Sequence, residues 1–223
     1  MSRMPMRPDR EDVPADERAD YDFIVGRFAT VDLAETTTVQ DEFDALLVSP
    51  PLAAGLSRFG KSFMKLGGRP GTWSFADHEF IDCVLALELG YHGFLAFHAP
   101  QAVSEGVRID AIEAVRRGEL ERLTPDELLS VEFIRATARG EMDDELWKRM
   151  YERFGSERGV AEYTFFILFL QLHIRLHQAF DIPQFTIAEL DRMLEALKAG
   201  THPLPVSIAT GQYGSYSDYR TED

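Results

Sequence analysis

Residues 79–98, EFIDCVLALELGYHGFLAFH, decide how the rest of this chain is organised. Their apolar content predicts two helices, roughly 75–89 and 91–105, with a break at Gly90. An acid and several imidazoles are set among the apolar residues, and buried ionisable groups cost free energy unless they are partnered. If the two helices pack as an antiparallel pair across Gly90, their facing surfaces bring Glu79 near His98.

Working outward from this stretch, the sequence predicts only helices. Apolar residues recur at helical spacing, and Ser, Thr, Asp, Gly and Pro mark the helix ends. The predicted segments are 15–28, 43–48, 50–66, 108–117, 124–139, 143–154, 160–180 and 186–200. No strand pattern competes with them. The fold class is therefore all-α, with about seven to nine helices expected for one domain of this length.

Capping patterns support several of these helix starts. Thr124 precedes Glu127 by three residues, and Thr186 precedes Glu189 by three, so both segments fit the capping-box pattern. Ser49 is expected to cap the helix in which proline occupies the first turn.

The positions of the predicted helices divide the chain into three parts. Residues 1–40 form an N-terminal extension with one helix, 41–200 form the helical domain, and 201–223 form a flexible C-terminal tail.

Composition narrows the classes of partner. The 223-residue chain carries a formal net charge of -15, which disfavours binding to nucleic acid or to an anionic membrane surface. The most apolar run, 163–170, is too short to cross a bilayer. With one cysteine, Cys83, the chain cannot form an intramolecular disulfide, which fits a cytoplasmic protein.

Glu79 and His98 are the main candidates for chemistry, because a carboxylate can orient an imidazole and balance its charge in general acid–base catalysis. The alternative is a buried, hydrogen-bonded structural pair. His173 and His177 stand four residues apart, a spacing that can present two metal ligands. Without a third ligand they are better interpreted as lining a pocket or a subunit contact, and no metal is predicted.

The remaining candidates are weaker. His78 and His92 are expected at the surface or at an edge. Cys83 is expected to be an inert core residue. There is no Gly-rich phosphate loop or nucleophile elbow.

Residues 98–107, HAPQAVSEGV, match the run His-Ala-Pro-x-Ala-x-x-x-Gly of the carboxymuconolactone decarboxylase family. The chain resembles this family, which belongs to the superfamily of the AhpD-like alkylhydroperoxidases. Glu79 stands nineteen residues before His98, the interval at which the family places its acid before its histidine. The resemblance covers about residues 43–185 and implies an AhpD-like multi-helix bundle.

Two positions depart from the family. The peroxidase branch has cysteines seven and four residues before its histidine, where this chain has Tyr91 and Phe94. Thiol peroxidase chemistry by that route is therefore excluded. The decarboxylase branch often has Tyr-Glu-Trp just before its histidine, where this chain has Gly93, Phe94 and Leu95.

The resemblance implies a cofactor-independent lyase that acts on a small cyclic carboxylate or lactone. His98 would be the proton donor or enolate stabiliser, and Glu79 would orient it. Tyr91 would donate to the substrate. Phe94 and Leu95 would exclude water.

Two other functions fit the same residues. One is a catalytically diverged protein that binds a small molecule without turning it over. The other is an accessory protein that works through oligomerisation. The family forms ring-like homo-oligomers, so we expect a dimer, trimer or hexamer, with the apolar helix 160–180 as an interface.

Overall fold

The fold is described by a computed structural model that covers residues 2–5, 7–29 and 38–205. This part of the chain is helical and contains no strand, which confirms the all-α prediction. Its helices are α1 (Arg18–Ala29), α2 (Thr38–Leu46), α3 (Pro50–Leu66), α4 (Phe75–Glu88), α5 (His92–Ser104), α6 (Ile109–Arg117), α7 (Pro125–Arg139), α8 (Asp144–Phe154), α9 (Glu157–Phe180) and α10 (Ile187–Lys198). Two short 3₁₀ helices, Arg10–Asp12 and Leu120–Arg122, accompany them.

These ten α-helices exceed the seven to nine that were expected. The ten segments predicted one by one nevertheless each correspond to one of these helices, because the proline at the start of α3 and Gly118 at the end of α6 mark helix limits in the sequence. Gly118 has a φ of 73°, in the left-handed region where glycine is favoured.

Local capping explains most of the helix starts. The capping boxes predicted at Thr124 and Thr186 are both present, and Ser74 with Asp77 forms a third at the start of α4. The prediction for Ser49 is wrong, since its side chain makes no capping hydrogen bond. Its backbone carbonyl instead accepts from the amide of Ala53 at 3.1 Å, so proline at the first position starts α3 without a side-chain cap.

Helices α4 and α5 form the centre of the molecule. Gly90 adopts a φ of 66° between them, and the amide of Tyr91 donates to the carbonyl of Ala86 at 2.8 Å. This tight turn returns the chain alongside itself. Helices α6, α7 and α9 pack against α4, and α10 packs against α5, so both central helices are buried on most faces.

Two apolar clusters surround this centre. The main core joins α4 and α5 to the later helices, and in it Trp73 stacks on Phe166 with ring centroids 4.4 Å apart. The second core lies between α1, α2 and α3 and includes Ile24, Phe43 and Leu47. Leu176 and Phe180 of α9 contact the second core, so α9 connects the two.

The chain ends were predicted as an extension and a flexible tail. The described N-terminal residues contact the body of the protein, since the amide of Arg3 donates to the carbonyl of Phe180 at 2.7 Å and Arg7 pairs with Asp44. Near the other end, the Ser104 hydroxyl donates to the carbonyl of Pro205 at 2.7 Å. Residues 30–37 and 206–223, which include most of the predicted tail, lie outside the described residues.

Within the described part of the chain, none of the helices combines the length and the apolar character that a membrane span requires.

Candidate functional site

The central helix pair joins Glu79 to His98. Nδ1 of His98 lies 2.8 Å from Oε2 of Glu79, and both side chains are buried. The prediction that packing of the two helices across Gly90 brings Glu79 near His98 is thus confirmed. Because an ionised carboxylate only accepts hydrogen bonds, the contact requires a proton on Nδ1, which fixes the tautomer of a neutral His98 ring.

A second carboxylate faces the same nitrogen. Oδ2 of Asp82 lies 3.3 Å from Nδ1 of His98 and 3.2 Å from Nε2 of His78. Asp82 is fully buried, and neither contact has the alignment of a hydrogen bond. Sequence reasoning missed Asp82, although its position one helical turn after His78 and Glu79 was a signal for one shared helix face.

The prediction that His78 lies at the surface or at an edge is wrong. Only 5% of the residue is exposed. The indole of Trp73 and the ring of Phe166 both contact its imidazole edge to face, with centroid distances of 5.8 and 4.8 Å. The loop before α4 brings Trp73 over the first turn of the helix, and local periodicity does not reveal that covering.

The charges of two nearby carboxylates determine the direction in which the pKa of His98 shifts. Burial, the largest single effect, acts to lower its pKa, but the negative charges of Asp82 and Glu79 and the hydrogen bond that His98 donates to Glu79 outweigh it. The pKa of His98 is therefore raised. The thiol of Cys83, predicted as an inert core residue, is buried, and burial with the same two carboxylates raises its pKa well above the ordinary value.

The other nitrogen of His98, Nε2, is buried and makes no hydrogen bond to any residue that the structure describes. The ring of Phe94 lies 4.6 Å from the imidazole, and that of Phe97 lies 4.8 Å from it, measured between centroids. His98 is thus held at Nδ1 and presents Nε2 in an apolar setting, the arrangement that a general acid or base needs.

The predicted pocket residues His173 and His177 have a partner that the sequence did not indicate. Glu42 of α2 accepts from Nδ1 of His173 at 2.8 Å and from Nε2 of His177 at 3.1 Å. Burial, the largest effect on Glu42, favours a higher pKa. The charges and hydrogen bonds of the two imidazoles outweigh burial and lower the pKa to about 2.

Tyr91 extends this second cluster. Its hydroxyl lies 3.1 Å from Nδ1 of His177 and 3.2 Å from the carbonyl oxygen of Ile182. A doubly protonated His177 would satisfy every group, since Nδ1 would donate to the tyrosine oxygen and the hydroxyl would donate to the carbonyl. Tyr91, which was predicted to donate to the substrate, therefore has two hydrogen-bond partners inside the protein.

Phe94 separates the two clusters. Its ring contacts both His98 and His177, and the distance between the ring centroids of Phe94 and His177 is 5.6 Å. The predicted residues Tyr91, Phe94 and His177 are thus continuous with the site. Leu95 is fully buried in the main core.

Glu79, Asp82 and His98 are also the one group among the described residues with three ligand-type atoms within 4.8 Å of one another. Two ligand atoms on one tetrahedral zinc ion lie about 3.3 Å apart. The 2.8 Å contact between Glu79 and His98 is shorter and fits a direct hydrogen bond. Imidazoles that bind metals also donate through their second nitrogen, and here Nε2 of His98 has no acceptor.

A surface cavity on another side of α4 is a weaker candidate. It is lined in part by Asp77, Arg108, Glu127 and Arg153. Arg108 pairs with Glu127, and Arg153 pairs with Asp77, so these charges already satisfy one another.

Comparison of the chain with protein-family models, with curated proteins and with solved structures found no match.

Proposed function

We propose that this protein is a cofactor-independent lyase that removes carbon dioxide from a small cyclic carboxylate or lactone. One observation carries the proposal: His98 is held through Nδ1 by Glu79, while its Nε2 has no partner in the described part of the chain. A purely structural pair does not need a free, buried imidazole nitrogen, because an unsatisfied polar group costs free energy. The resemblance to the carboxymuconolactone decarboxylase family suggests the substrate class.

The proposed step needs an acid near a developing enolate. The bond between the ring carbon and the carboxylate carbon breaks, carbon dioxide leaves, and the electron pair moves into a conjugated carbonyl. His98 donates its Nε2 proton to the resulting carbanion carbon, or stabilises the enolate oxygen first. The imidazole is then neutral and regains a proton from solvent. Glu79 keeps Nδ1 protonated throughout, so only Nε2 exchanges a proton.

The surrounding residues divide into two roles in this proposal. Phe94 contacts the His98 ring and excludes water, and Leu95 supports that wall from the core. Tyr91, His173 and His177 are assigned to positioning, because their polar atoms contact Glu42, one another or Ile182. This assignment differs from direct substrate binding, which we predicted for them from the sequence.

We also propose that the protein forms a homo-oligomer through one apolar face. The residues of this face are Leu52 and Phe59 on α3 and Phe165, Leu168 and Leu172 on α9, each at least 43% exposed. The rings of Phe59 and Phe165 contact each other edge to face at 5.9 Å, which joins the two helices into one surface. A second copy is the occupant that the family resemblance suggests. A cytoplasmic location stays a prediction.

The activity is tested with a panel of lactone carboxylates and cyclic keto acids, by measuring release of carbon dioxide. We expect turnover of at least one compound by the full chain, and its loss in His98→Asn and Glu79→Gln. His92→Asn is the matched control, because His92 is a partly exposed imidazole on the same helix.

Stoichiometric binding without product would instead support the diverged binding protein. Full activity in both variants would reject the assignment of the site.

A further inference from the structure

We propose that Asp82 is a positioning residue, a second carboxylate that works with Glu79 to hold His98 in its protonated form. His98 then acts as an acid toward an anionic oxygen or carbon of the substrate, and not as a base. This inference rests on the proposed function of His98 and adds the residue that, with Glu79, holds it protonated.

Geometry supports the role of Asp82. The side chain lies one turn after His78 and three residues after Glu79, so α4 presents all three side chains toward α5. Oδ2 of Asp82 is 3.3 Å from the nitrogen that Glu79 binds, so both carboxylates act on one N–H. Since the contact from Asp82 lacks hydrogen-bond alignment, its effect on His98 is electrostatic.

The burial of Asp82 makes this contact hard to explain otherwise. A fully buried carboxylate without hydrogen bonds is costly, and such groups persist when an opposite charge compensates them. The nearby groups that can provide a positive charge are His98 and His78. An imidazolium at His98 satisfies Glu79 by a hydrogen bond and Asp82 by charge.

The groups that face His98 from the other elements do not offset these carboxylates. Phe94 and Phe97 contact its ring from α5, and Phe166 of α9 contacts the neighbouring His78. Cys83 is neutral, because burial and the carboxylates raise the pKa of its thiol. His177 lies beyond Phe94 and is itself bound to Glu42.

The pKa of His98 shifts in the direction that two neighbouring carboxylates predict. Burial alone would lower its pKa. The charge of Asp82, together with the charge of Glu79 and the hydrogen bond to it, raises the pKa. A protonated Nε2 is a hydrogen-bond donor without a partner among the described residues, so the site favours a ligand that accepts there, such as an enolate or a carboxylate oxygen. A cationic ligand would not find an acceptor there.

The test is an NMR titration of the His98 ring in the labelled full-length protein. In the wild type we expect His98 to stay doubly protonated above pH 6.5, the ordinary midpoint for histidine. In Asp82→Asn the midpoint moves to lower pH. Glu88→Gln is the control and should leave the midpoint unchanged, since Glu88 is a carboxylate on the same helix whose partners are Arg135 and Arg139.

A wild-type midpoint at or below the ordinary value would overturn the inference, even if Asp82→Asn does not fold. So would an unchanged midpoint in folded Asp82→Asn. Neither result would remove the role of Glu79 and His98, which the activity assay tests separately. With an active substrate, the rate should fall as pH rises through the pKa of His98, and in Asp82→Asn that fall should begin at lower pH.

Discussion

At the scale of single residues, the two buried clusters of carboxylates and imidazoles differ in whether their polar atoms have partners. One cluster surrounds His98 and the other surrounds Glu42. In the cluster of Glu42, every polar atom described for Tyr91 and for Glu42 has a protein partner. In the cluster of His98, Nε2 has none. The first arrangement is typical of a structural network and the second of a site that receives a ligand.

The structural role of Glu42 leads to a stability prediction. We expect Glu42→Gln to reduce the free energy of unfolding at pH 7 by about 3 kcal/mol, because the change removes one partner of a buried ion pair. A fall in pKa from 4.5 to about 2 corresponds to a similar free energy. Urea unfolding measures the loss, and the exposed Glu195→Gln is the control, expected to change stability by less than about 0.5 kcal/mol.

The sign of the pH effect follows from the lowered pKa of Glu42. Its contribution is complete above pH 4.5, the unfolded value, and is lost as pH falls toward about 2. Glu42→Gln should therefore show a flatter stability profile across this range than the wild type. Equal profiles for both proteins would contradict the assignment.

Sequence could predict part of this chemistry. The contact between Glu79 and His98 was predictable because the two residues lie on the facing surfaces of α4 and α5, which a tight turn at Gly90 joins. Asp82 had the right helical spacing but was not singled out. Glu42 could not be found, because it stands 131 residues before His173 and its partners depend on how α2 packs against α9.

At the scale of elements, the segment after α9 determines how α5 begins. Gln184 accepts a hydrogen bond from the amide of Gly93 at 3.3 Å. A Cβ at Gly93 would lie 2.9 Å from Cβ of Gln184, closer than real side chains approach. Glycine at this position lets the segment 181–186 contact the first turn of α5, beside Tyr91.

Gly93→Ala tests this close approach. We expect it to lower the free energy of unfolding by about 1–3 kcal/mol, the usual cost of overpacking. Gly26→Ala is the matched change in another helix, where an added Cβ has no atom within 4 Å. It should stabilise the protein by about 0.5–1 kcal/mol, because alanine is favoured over glycine in a helix. Thermal or urea unfolding of both variants measures the difference, and equal effects would show that Gly93 is not constrained.

Helix positions were largely predictable, because their signals are local. The capping boxes at Thr124 and Thr186 fix two starts within a few residues of sequence. The burial of His78 was not predictable in this way, because Trp73 covers it from a loop. The limits of α2 were also misplaced, since the helix was predicted over 43–48 and spans Thr38–Leu46.

At the scale of the whole molecule, none of the residues that the structure describes covers the apolar face of α3 and α9. Phe165 is its most exposed residue on α9, at 56%. We expect Phe165→Glu to convert the proposed homo-oligomer to a monomer, because a charge in an apolar interface loses its hydration. Light scattering of the purified chain measures the mass.

Ile187→Glu is the control for this prediction, since Ile187 is equally exposed but lies on α10, outside the apolar face. It should leave the mass unchanged. A wild-type monomer at all concentrations tested would contradict the proposed interface.

The central claim is that Glu79 and His98 form an acid–base site and not only a structural pair. Carbon dioxide release by folded His98→Asn, compared with wild type and His92→Asn on the same substrate, tests it most directly. The proposal predicts a loss of about 10²–10⁴-fold in His98→Asn, the usual contribution of a general acid, and an unchanged rate in His92→Asn. A folded His98→Asn protein that releases carbon dioxide at the wild-type rate would contradict the claim.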